Sequence, residues 1–219
     1  MKVTVAIPHA GSKAKLEKLL GQLAADGFDS VLVLGDKERK GPASARNLAL
    51  GKVKDGVIWF LDDDMELVSE GNRAKIEKIF ADGREKIVGT LILDKKGEPM
   101  RWNYGKFIQP LWLDGLSYWK LKRLWAKPER RRVDWVAEGS MVMEADLFRR
   151  LGGFDAGFLY HEGQDLCRRA GGAEFEPSVV VRHNQGRTRL RLMWWRAIVS
   201  DRRRFLGKRR DESEERSRG

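Results

Sequence analysis

Short apolar runs alternate with amphipathic stretches through the first part of the chain. Four runs of strand length predict β-strands, namely Val3–Ile7, Ser30–Leu34, Val57–Leu61 and Lys86–Leu93. Three stretches with apolar residues at helical spacing lie between them and predict helices, namely Ser12–Ala25, Ser44–Leu50 and Asn72–Phe80. Repeated β-α-β units imply right-handed crossovers and a mainly parallel, buried sheet. The predicted fold class is therefore α/β.

Residues 100–135 interleave eight aromatic side chains with lysines and arginines. Such a density predicts either a second small core or a platform for sugars or bases, and packing is favoured for most of the rings. Val133–Val142 then predicts a return strand, in which Gly139 allows a close backbone approach.

The third predicted strand runs directly into three carboxylates, Asp62, Asp63 and Asp64. Adjacent anions repel one another, whereas Mg²⁺ and Mn²⁺ prefer oxygen ligands. In an extended chain Asp62 and Asp64 share a face, so both can point toward one ion. A polar turn that caps the next helix is the alternative. Since His9 and Asp36 also follow strand ends, one crevice at the carboxyl edge of the sheet is expected to gather all of these residues.

Composition sets the outer limits of the interpretation. The 219 residues suffice for one domain with a full core, and 42% of them are hydrophobic. No apolar run approaches the roughly 20 residues of a membrane span. The N-terminal strand pattern ends at Pro8 and is too short for a signal peptide. The single cysteine, Cys167, cannot form an internal disulfide, and a cytoplasmic location is predicted.

The net charge of +11 is concentrated near the C-terminus. Residues 182–210 hold eleven basic and one acidic side chain, whereas residues 1–181 hold 30 basic and 27 acidic ones. Apolar and basic positions over 191–210 predict a basic amphipathic helix. Residues 191–206 of this helix are candidates for peripheral contact with the inner face of the cell membrane, for packing on the domain, or for nucleic-acid binding. A solvated tail is the plain alternative, and residues 211–219 are predicted to be disordered.

Several ordered motifs between about residue 3 and residue 188 resemble glycosyltransferase family 2, which has the GT-A fold. They are VTVAIPHAG, GPASARNLAL from Gly41, FLDDDMEL, LGGFDAGFLYHEGQDLCRR from Leu151, and VVVRHNQGRTR. The resemblance implies a GT-A catalytic domain over 1–190, with a nucleotide-binding half at 1–98 and an acceptor-side half at 99–190.

The resemblance also implies a nucleotide-diphosphate sugar donor, a divalent Mn²⁺ or Mg²⁺ ion, and transfer with inversion at the anomeric carbon. A metal that bridges the diphosphate stabilises the charge of the leaving group. Asp62, Asp64 and His183 would bind the metal. The donor would contact Pro8, His9, Asp36, Arg46, Asp62, Asp63 and Arg187, with Arg189 as a further phosphate clamp.

Inversion requires a base that takes the proton of the acceptor hydroxyl. The family has Glu-Asp-x-Asp-Leu where this chain has Glu162-Gly163-Gln164-Asp165-Leu166, so Gly163 replaces a carboxylate that is often assigned as the base. Glu162 is the first candidate, Asp165 the second and His161 the third. Asp165 has the alternative role of anchoring the following helix.

These observations predict a metal-dependent inverting glycosyltransferase that acts on a hydroxyl of a glycan or lipid-linked acceptor. A hydroxylated base in DNA is the alternative acceptor, since arginine and tryptophan together suit nucleic acid. A non-catalytic protein that binds a nucleotide sugar or a polyanion is the second alternative, and Gly163 is the residue that favours it.

Overall fold

The computed structural model describes residues 1–10, 12–35, 41–84, 86–100, 102–107, 124–158, 161–184, 200, 201, 204 and 208. The predictions for Asp36, Arg187 and Arg189, for most of 191–210 and for the tail lie outside these residues. Within the described part of the chain, no helix is both long enough and apolar enough to span a membrane.

An eight-stranded sheet forms the centre of the described structure, and five of its strands run in one direction. The strands of this sheet are β1 Val3–His9, β2 Val31–Gly35, β3 Val57–Leu61, β4 Met65–Leu67, β5 Ile87–Leu93, β7 Arg131–Val133, β9 Ser140–Glu144 and β10 Ala173–His183. Their order is β2-β1-β3-β9-β5-β10-β4, and β7 pairs with β10. Two short strands, β6 Tyr104–Gly105 and β8 Trp135–Val136, form a separate antiparallel pair. The predicted α/β class with a mainly parallel sheet is confirmed.

Five α-helices connect the described strands, namely α1 Lys13–Ala25, α2 Pro42–Asn47, α3 Asn72–Ile79, α4 Ala145–Arg150 and α5 Glu162–Arg169, and a 3₁₀ turn, Leu48–Gly51, extends α2. In α1 the leucines at positions 16, 19 and 23 are buried, as helical spacing requires. Helix α2 starts where Gly41 has a φ of 98°, and Pro42 follows at its first position, where a missing N–H costs nothing.

Apolar side chains fill both faces of the sheet. One cluster contains Leu19, Trp59 and Ile76 under α1 and α3. The other contains Phe60 and Phe148 and extends to the aromatic segment. The two layers bury β3 completely, which explains why its sequence is continuously apolar rather than alternating.

The predicted strand Val133–Val142 is wrong as a single element. The chain forms β7, β8 and β9 in turn. Between β7 and β8 the Asp134 carboxylate accepts hydrogen bonds from Lys106 and from the Phe107 N–H, and between β8 and β9 the Ala137 N–H donates to the Asn103 carbonyl. The predicted packing role of the aromatic segment is confirmed for Tyr104, which stacks on Phe175 at 3.8 Å, and for the buried Trp125.

The described C-terminal residues contact the domain. Arg204 and Lys208 form ion pairs with Asp155 at 3.0 and 2.5 Å, and both cations lie over the ring of Phe158. Burial would raise the pKa of Asp155, but hydrogen bonds from Lys208, the Gly157 N–H and Arg204 outweigh it and lower this pKa to about 2. These contacts favour the packing alternative for the basic segment.

Candidate active site

The three aspartates after β3 lie in a tight turn rather than in an extended chain. The Met65 N–H donates to the Asp62 carbonyl at 3.2 Å, so the three carboxylates diverge. Asp63 contacts His9 Nδ1 at 2.6 Å, at the end of β1. Asp64 contacts His183 Nε2 at 3.0 Å, at the end of β10. His9 and the three aspartates therefore lie together at the carboxyl edge of the sheet, as expected. A turn after β3 brings the aspartates there, and not the alternation of side chains along a strand.

Arg46 joins the two halves of the site. Its Nη2 donates to Asp62 at 2.6 Å, and its Nη1 donates to Glu162 at 3.1 Å. The Arg46 residue is only 2% exposed, and its guanidinium lies 5.7 Å from the ring centre of Phe154. Burial alone would lower the pKa of Arg46, but Asp62, Glu138 and Glu162 keep it above its ordinary value. A permanently charged, fork-shaped group suits this bridging position.

The next residue, Asn47, fixes the Gly152-Gly153-Phe154-Asp155 turn. Its Oδ1 accepts from the Phe154 N–H and its Nδ2 donates to the Phe154 carbonyl, both at 2.8 Å. Gly153 has a φ of 77°, and a Cβ there would lie 2.5 Å from Asn47 Oδ1. The Ala-Arg-Asn segment thus positions both the carboxylates of Asp62 and Glu162 and the glycine turn beside them.

A second glutamate, Glu138, lies beside Glu162. A Cβ built on Gly163 would lie 2.6 Å from Glu138 Oε2. Burial raises the pKa of Glu138 to about 8, Glu162 adds to the rise, and Arg46 opposes it. Burial likewise raises the pKa of Glu162, against the attraction of Arg46. Within the described part of the chain, Glu162 Oε2 is buried and has no hydrogen-bond partner.

Gly139 lies in a close backbone approach, as the sequence predicts, and the structure shows that the partner is Asp62. The Asp62 N–H donates to the Gly139 carbonyl at 3.1 Å, and a Cβ on Gly139 would lie 2.9 Å from Asp62 Oδ2. The backbone contact holds the end of β3 against the segment that precedes β9.

The two remaining base candidates have structural partners. Asp165 is fully buried, and Arg169 and Arg168 pair with it at 2.8 and 3.1 Å. Arg169 also donates to the Gly153 carbonyl, so this pair connects α5 to the glycine turn. His161 Nδ1 lies 3.4 Å from Asp201 Oδ2. The geometry favours the predicted anchoring role for Asp165.

A family model described as glycosyl transferase family 2 matches residues 5–142, more than half of the chain. The chain belongs to glycosyl transferase family 2. It is a glycosyltransferase with the GT-A fold, as the motifs predict. A comparison with curated proteins gives no match.

Several solved structures share the fold of this family 2 chain at low sequence identity. A197 from STIV is 16% identical, with a TM-score of 0.56 and coverage of 85% of this chain and 87% of that one. GalNAc-T7 with UDP, GalNAc and Mn²⁺ is 18% identical, with a TM-score of 0.59 and coverage of 83% and 43%. S. aureus TarS 1–349 in complex with UDP-GlcNAc is 15% identical, with a TM-score of 0.56 and coverage of 85% and 60%. The chain thus spans less than two thirds of the latter two.

Sequence reasoning missed Glu138. It lies in a predicted strand interior, 24 residues before Glu162, and no local spacing connects the two. The available signal was Gly163 itself, because a glycine in the first turn of a helix leaves room that another side chain can fill.

Proposed function

We propose that this family 2 protein transfers a sugar, with inversion, from a nucleoside diphosphate donor to a hydroxyl of a glycan or lipid-linked acceptor. We further propose that the reaction depends on Mn²⁺ or Mg²⁺. The observation that supports this most strongly is the convergence of Asp64 and His183 beside the Arg46–Asp62 pair, at the carboxyl edge of the sheet. Ligands of open α/β sheets bind at that edge.

Asp64 and His183 fit a divalent ion. Carboxylate oxygen and imidazole nitrogen both suit Mn²⁺. Two ligands about 2.1 Å from one ion, at right angles, are about 3.0 Å apart, which equals the distance between Asp64 Oδ1 and His183 Nε2. Among the described residues no group of three or more His, Cys, Asp and Glu side chains is arranged to hold a metal. Diphosphate oxygens and water would complete the shell, as is usual for Mg²⁺ at phosphate sites.

The donor would lie over the same edge. His9 and Asp63 form one polar pair there, and Arg46 and Asp62 form another. Lys15 Nζ lies 3.9 Å from Asp64 Oδ2 and supplies positive charge for the diphosphate. A bound metal would stabilise the charge that develops on the leaving diphosphate. The bound UDP and Mn²⁺ of GalNAc-T7 and the UDP-GlcNAc of TarS support a uridine donor.

The acceptor would approach from the side of Glu138. Ala137, the preceding residue, donates its N–H to the Asn103 carbonyl at 2.8 Å. The neighbouring Trp102 is 51% exposed, and a flat aromatic face of this kind suits a sugar ring. Carboxylates available for the base are Glu162, Asp165 and Glu138.

The experiment is a thermal-shift titration with UDP, GDP, dTDP and CDP, with and without Mn²⁺. We expect one nucleotide to raise the Tm of the wild type only when metal is present, because binding to the native state stabilises it. Asp64→Ala and His183→Ala are expected to lose the metal-dependent part. Asp29→Ala, which removes an exposed carboxylate elsewhere, should retain it. A rise that is independent of metal, or that persists in Asp64→Ala, would contradict the metal assignment.

Binding of a polyanion is the second candidate function, and one observation favours it. A cavity of about 660 Å³ lies at the amino ends of β5 and β10, away from the acidic edge, and its basic lining comprises Arg84, Lys86, Arg132, Arg150 and Arg169. Glu174 also lines it. Salt-sensitive binding of heparin or duplex DNA that is lost in Arg132→Ala/Arg150→Ala would support this role.

A further inference from the structure

We propose that Glu138, which reaches the site from the segment between β8 and β9, is the general base that accepts the proton of the acceptor hydroxyl. This inference rests on the proposed function and specifies its acceptor side. Glu138 supplies from a distant part of the sequence the carboxylate that position 163 of α5 lacks.

The geometry around Gly163 defines the place of this carboxylate. A Cβ on Gly163 would lie 2.6 Å from Glu138 Oε2, 3.1 Å from its Cβ and 3.2 Å from its backbone nitrogen. The first of these distances is shorter than real Cβ atoms show, so a side chain at 163 and the observed Glu138 conformation exclude one another. Glu138 therefore occupies the volume that a side chain at position 163 would take.

The two carboxylates of α5 that the sequence offers as base are less accessible to an acceptor. Glu162 is 1% exposed, and one of its oxygens accepts a hydrogen bond from Arg46. Asp165 is 0% exposed and pairs with Arg168 and Arg169. Glu138, in contrast, is partly exposed as a residue, although its carboxylate is desolvated enough to raise its pKa. A base must come within hydrogen-bond reach of the proton that it removes, and this favours Glu138.

The electrostatic surroundings of Glu138 agree with this role. Three charged groups act on its carboxylate across the site, namely Arg46, Glu162 and Asp62. Burial and the two acids raise the pKa of Glu138 to about 8. A carboxylate with a raised pKa accepts a proton more readily than an ordinary surface glutamate does.

The chemical step conserves atoms and charge. The acceptor oxygen forms a bond to the anomeric carbon of the donor while the proton of that hydroxyl moves to Glu138. The bond between the anomeric carbon and the diphosphate oxygen breaks, and its electron pair leaves with the nucleoside diphosphate. In this step Glu162 and Asp62 keep the role of accepting hydrogen bonds from Arg46.

The test compares wild type with Glu138→Gln, which keeps the shape of the side chain and removes its basicity. The probes are UDP-GlcNAc and UDP-GalNAc with Mn²⁺, and the readout is UDP release to water or to an added acceptor. We expect the rate to fall at least about 100-fold, the lower range for loss of a general base, while Mn²⁺-dependent UDP binding is unchanged. Glu129→Gln, which alters an exposed glutamate in the same half of the chain, is the matched control. A Glu138→Gln rate within about threefold of wild type would overturn the inference.

Moving the carboxylate from position 138 to position 163 separates a loss of catalysis from a loss of folding. In Glu138→Ala/Gly163→Asp the carboxylate returns on α5, and only the contacts with the Cβ and backbone nitrogen of residue 138 must relax, by a few tenths of an ångström. We expect at least about tenfold recovery over Glu138→Ala, because a base at that place restores part of the catalytic factor. The absence of any recovery in a folded double variant would count against the shared location.

Stability gives a readout that needs no substrate. The pKa of Glu138 lies near 8 in the folded chain and near 4.5 in the unfolded one, so ionising it costs folded-state stability as the pH rises from about 4.5 to 8. Glu138→Gln is therefore expected to raise the Tm by at least about 2 °C at pH 8 and by less at pH 5. A Tm that falls at pH 8 would assign Glu138 a structural role and overturn the inference. If wild type releases no UDP, the proposed donor fails, and the comparison of rates is repeated with sugars carried by the nucleotide that raises the wild-type Tm.

Discussion

Arg46 lies among the carboxylates of Asp62, Glu138 and Glu162. Replacing it by a neutral side chain is predicted to lower the stability of the fold more than any other single change among these residues. Arg46→Met keeps much of the side-chain volume but leaves Glu162, which is 1% exposed, without its cationic partner. Removing one member of a buried ion pair costs about 3–5 kcal/mol. For a chain of this size such a loss corresponds to a Tm lower by about 6–20 °C.

The penalty is also expected to depend on pH. Burial already raises the pKa of Glu162, and Arg46 is the group that opposes this rise most strongly. Without Arg46 the carboxyl can be protonated at pH 5 but faces an uncompensated charge at pH 8. The variant should therefore lose more stability at pH 8 than at pH 5.

Urea denaturation at both pH values measures the effect. Arg73→Met is the control, because Arg73 is about one-third exposed and its pairs with Glu77 and Asp29 lie near the surface. Its expected cost is below about 1 kcal/mol. Adding Glu162→Gln to Arg46→Met should recover at least half of the loss, since the two side chains are directly coupled. A cost below about 1 kcal/mol at pH 8, or an equal cost at both pH values, would refute the reasoning.

Three further predictions concern the glycine turn and the ion pairs around it. Gly153→Ala should destabilise the fold by about 1 kcal/mol or more beyond Gly152→Ala in urea denaturation, because both have positive φ but only position 153 meets Asn47. Equal losses would contradict this contact. Asn47→Ala should cost about 1–3 kcal/mol by the same assay, since two hydrogen bonds to Phe154 are lost. An unchanged free energy of unfolding would show that these two hydrogen bonds do not stabilise the turn. For Asp155, whose pKa is lowered to about 2, stability is present above pH 4 and is lost as the pH falls from about 4 to 2. Asp155→Asn should reduce the fall of Tm with pH between pH 4 and 2. An unchanged dependence of Tm on pH would contradict the ion pairs of Asp155 with Arg204 and Lys208.

The strands within residues 1–98 were predictable because their sequence signal is local. Strand β3 was predicted with its observed bounds, Val57–Leu61, since a fully buried strand gives a continuous apolar run. Strands β1, β2 and β5 were each predicted to within two residues at either end. Interruptions inside an apolar run were not predictable in this way. The Asp134 carboxylate, at the break between β7 and β8, accepts hydrogen bonds from Lys106 and the Phe107 N–H, which lie 28 and 27 residues away.

The site residues likewise divide into those that local sequence indicates and those that depend on distant contacts. The family resemblance indicated Arg46, which pairs with Asp62 and Glu162. The carboxylate triplet after the third strand indicated Asp64, which pairs with His183. Glu138 could not be found from spacing, because its relation to Gly163 exists only after β9 and α5 have packed against the same edge. The direction of each aspartate after β3 also depends on tertiary partners that come from the ends of two other strands.

Metal dependence and inversion are tested together by proton NMR of UDP-GlcNAc or UDP-GalNAc during turnover, with Mn²⁺ and then with an excess of chelator. We expect the α-linked donor signal to decay and a β-linked product to form first, only while the metal is present and not in Asp64→Ala. A product that first appears with α configuration, or a turnover that persists with chelator, would contradict a metal-dependent inverting transfer.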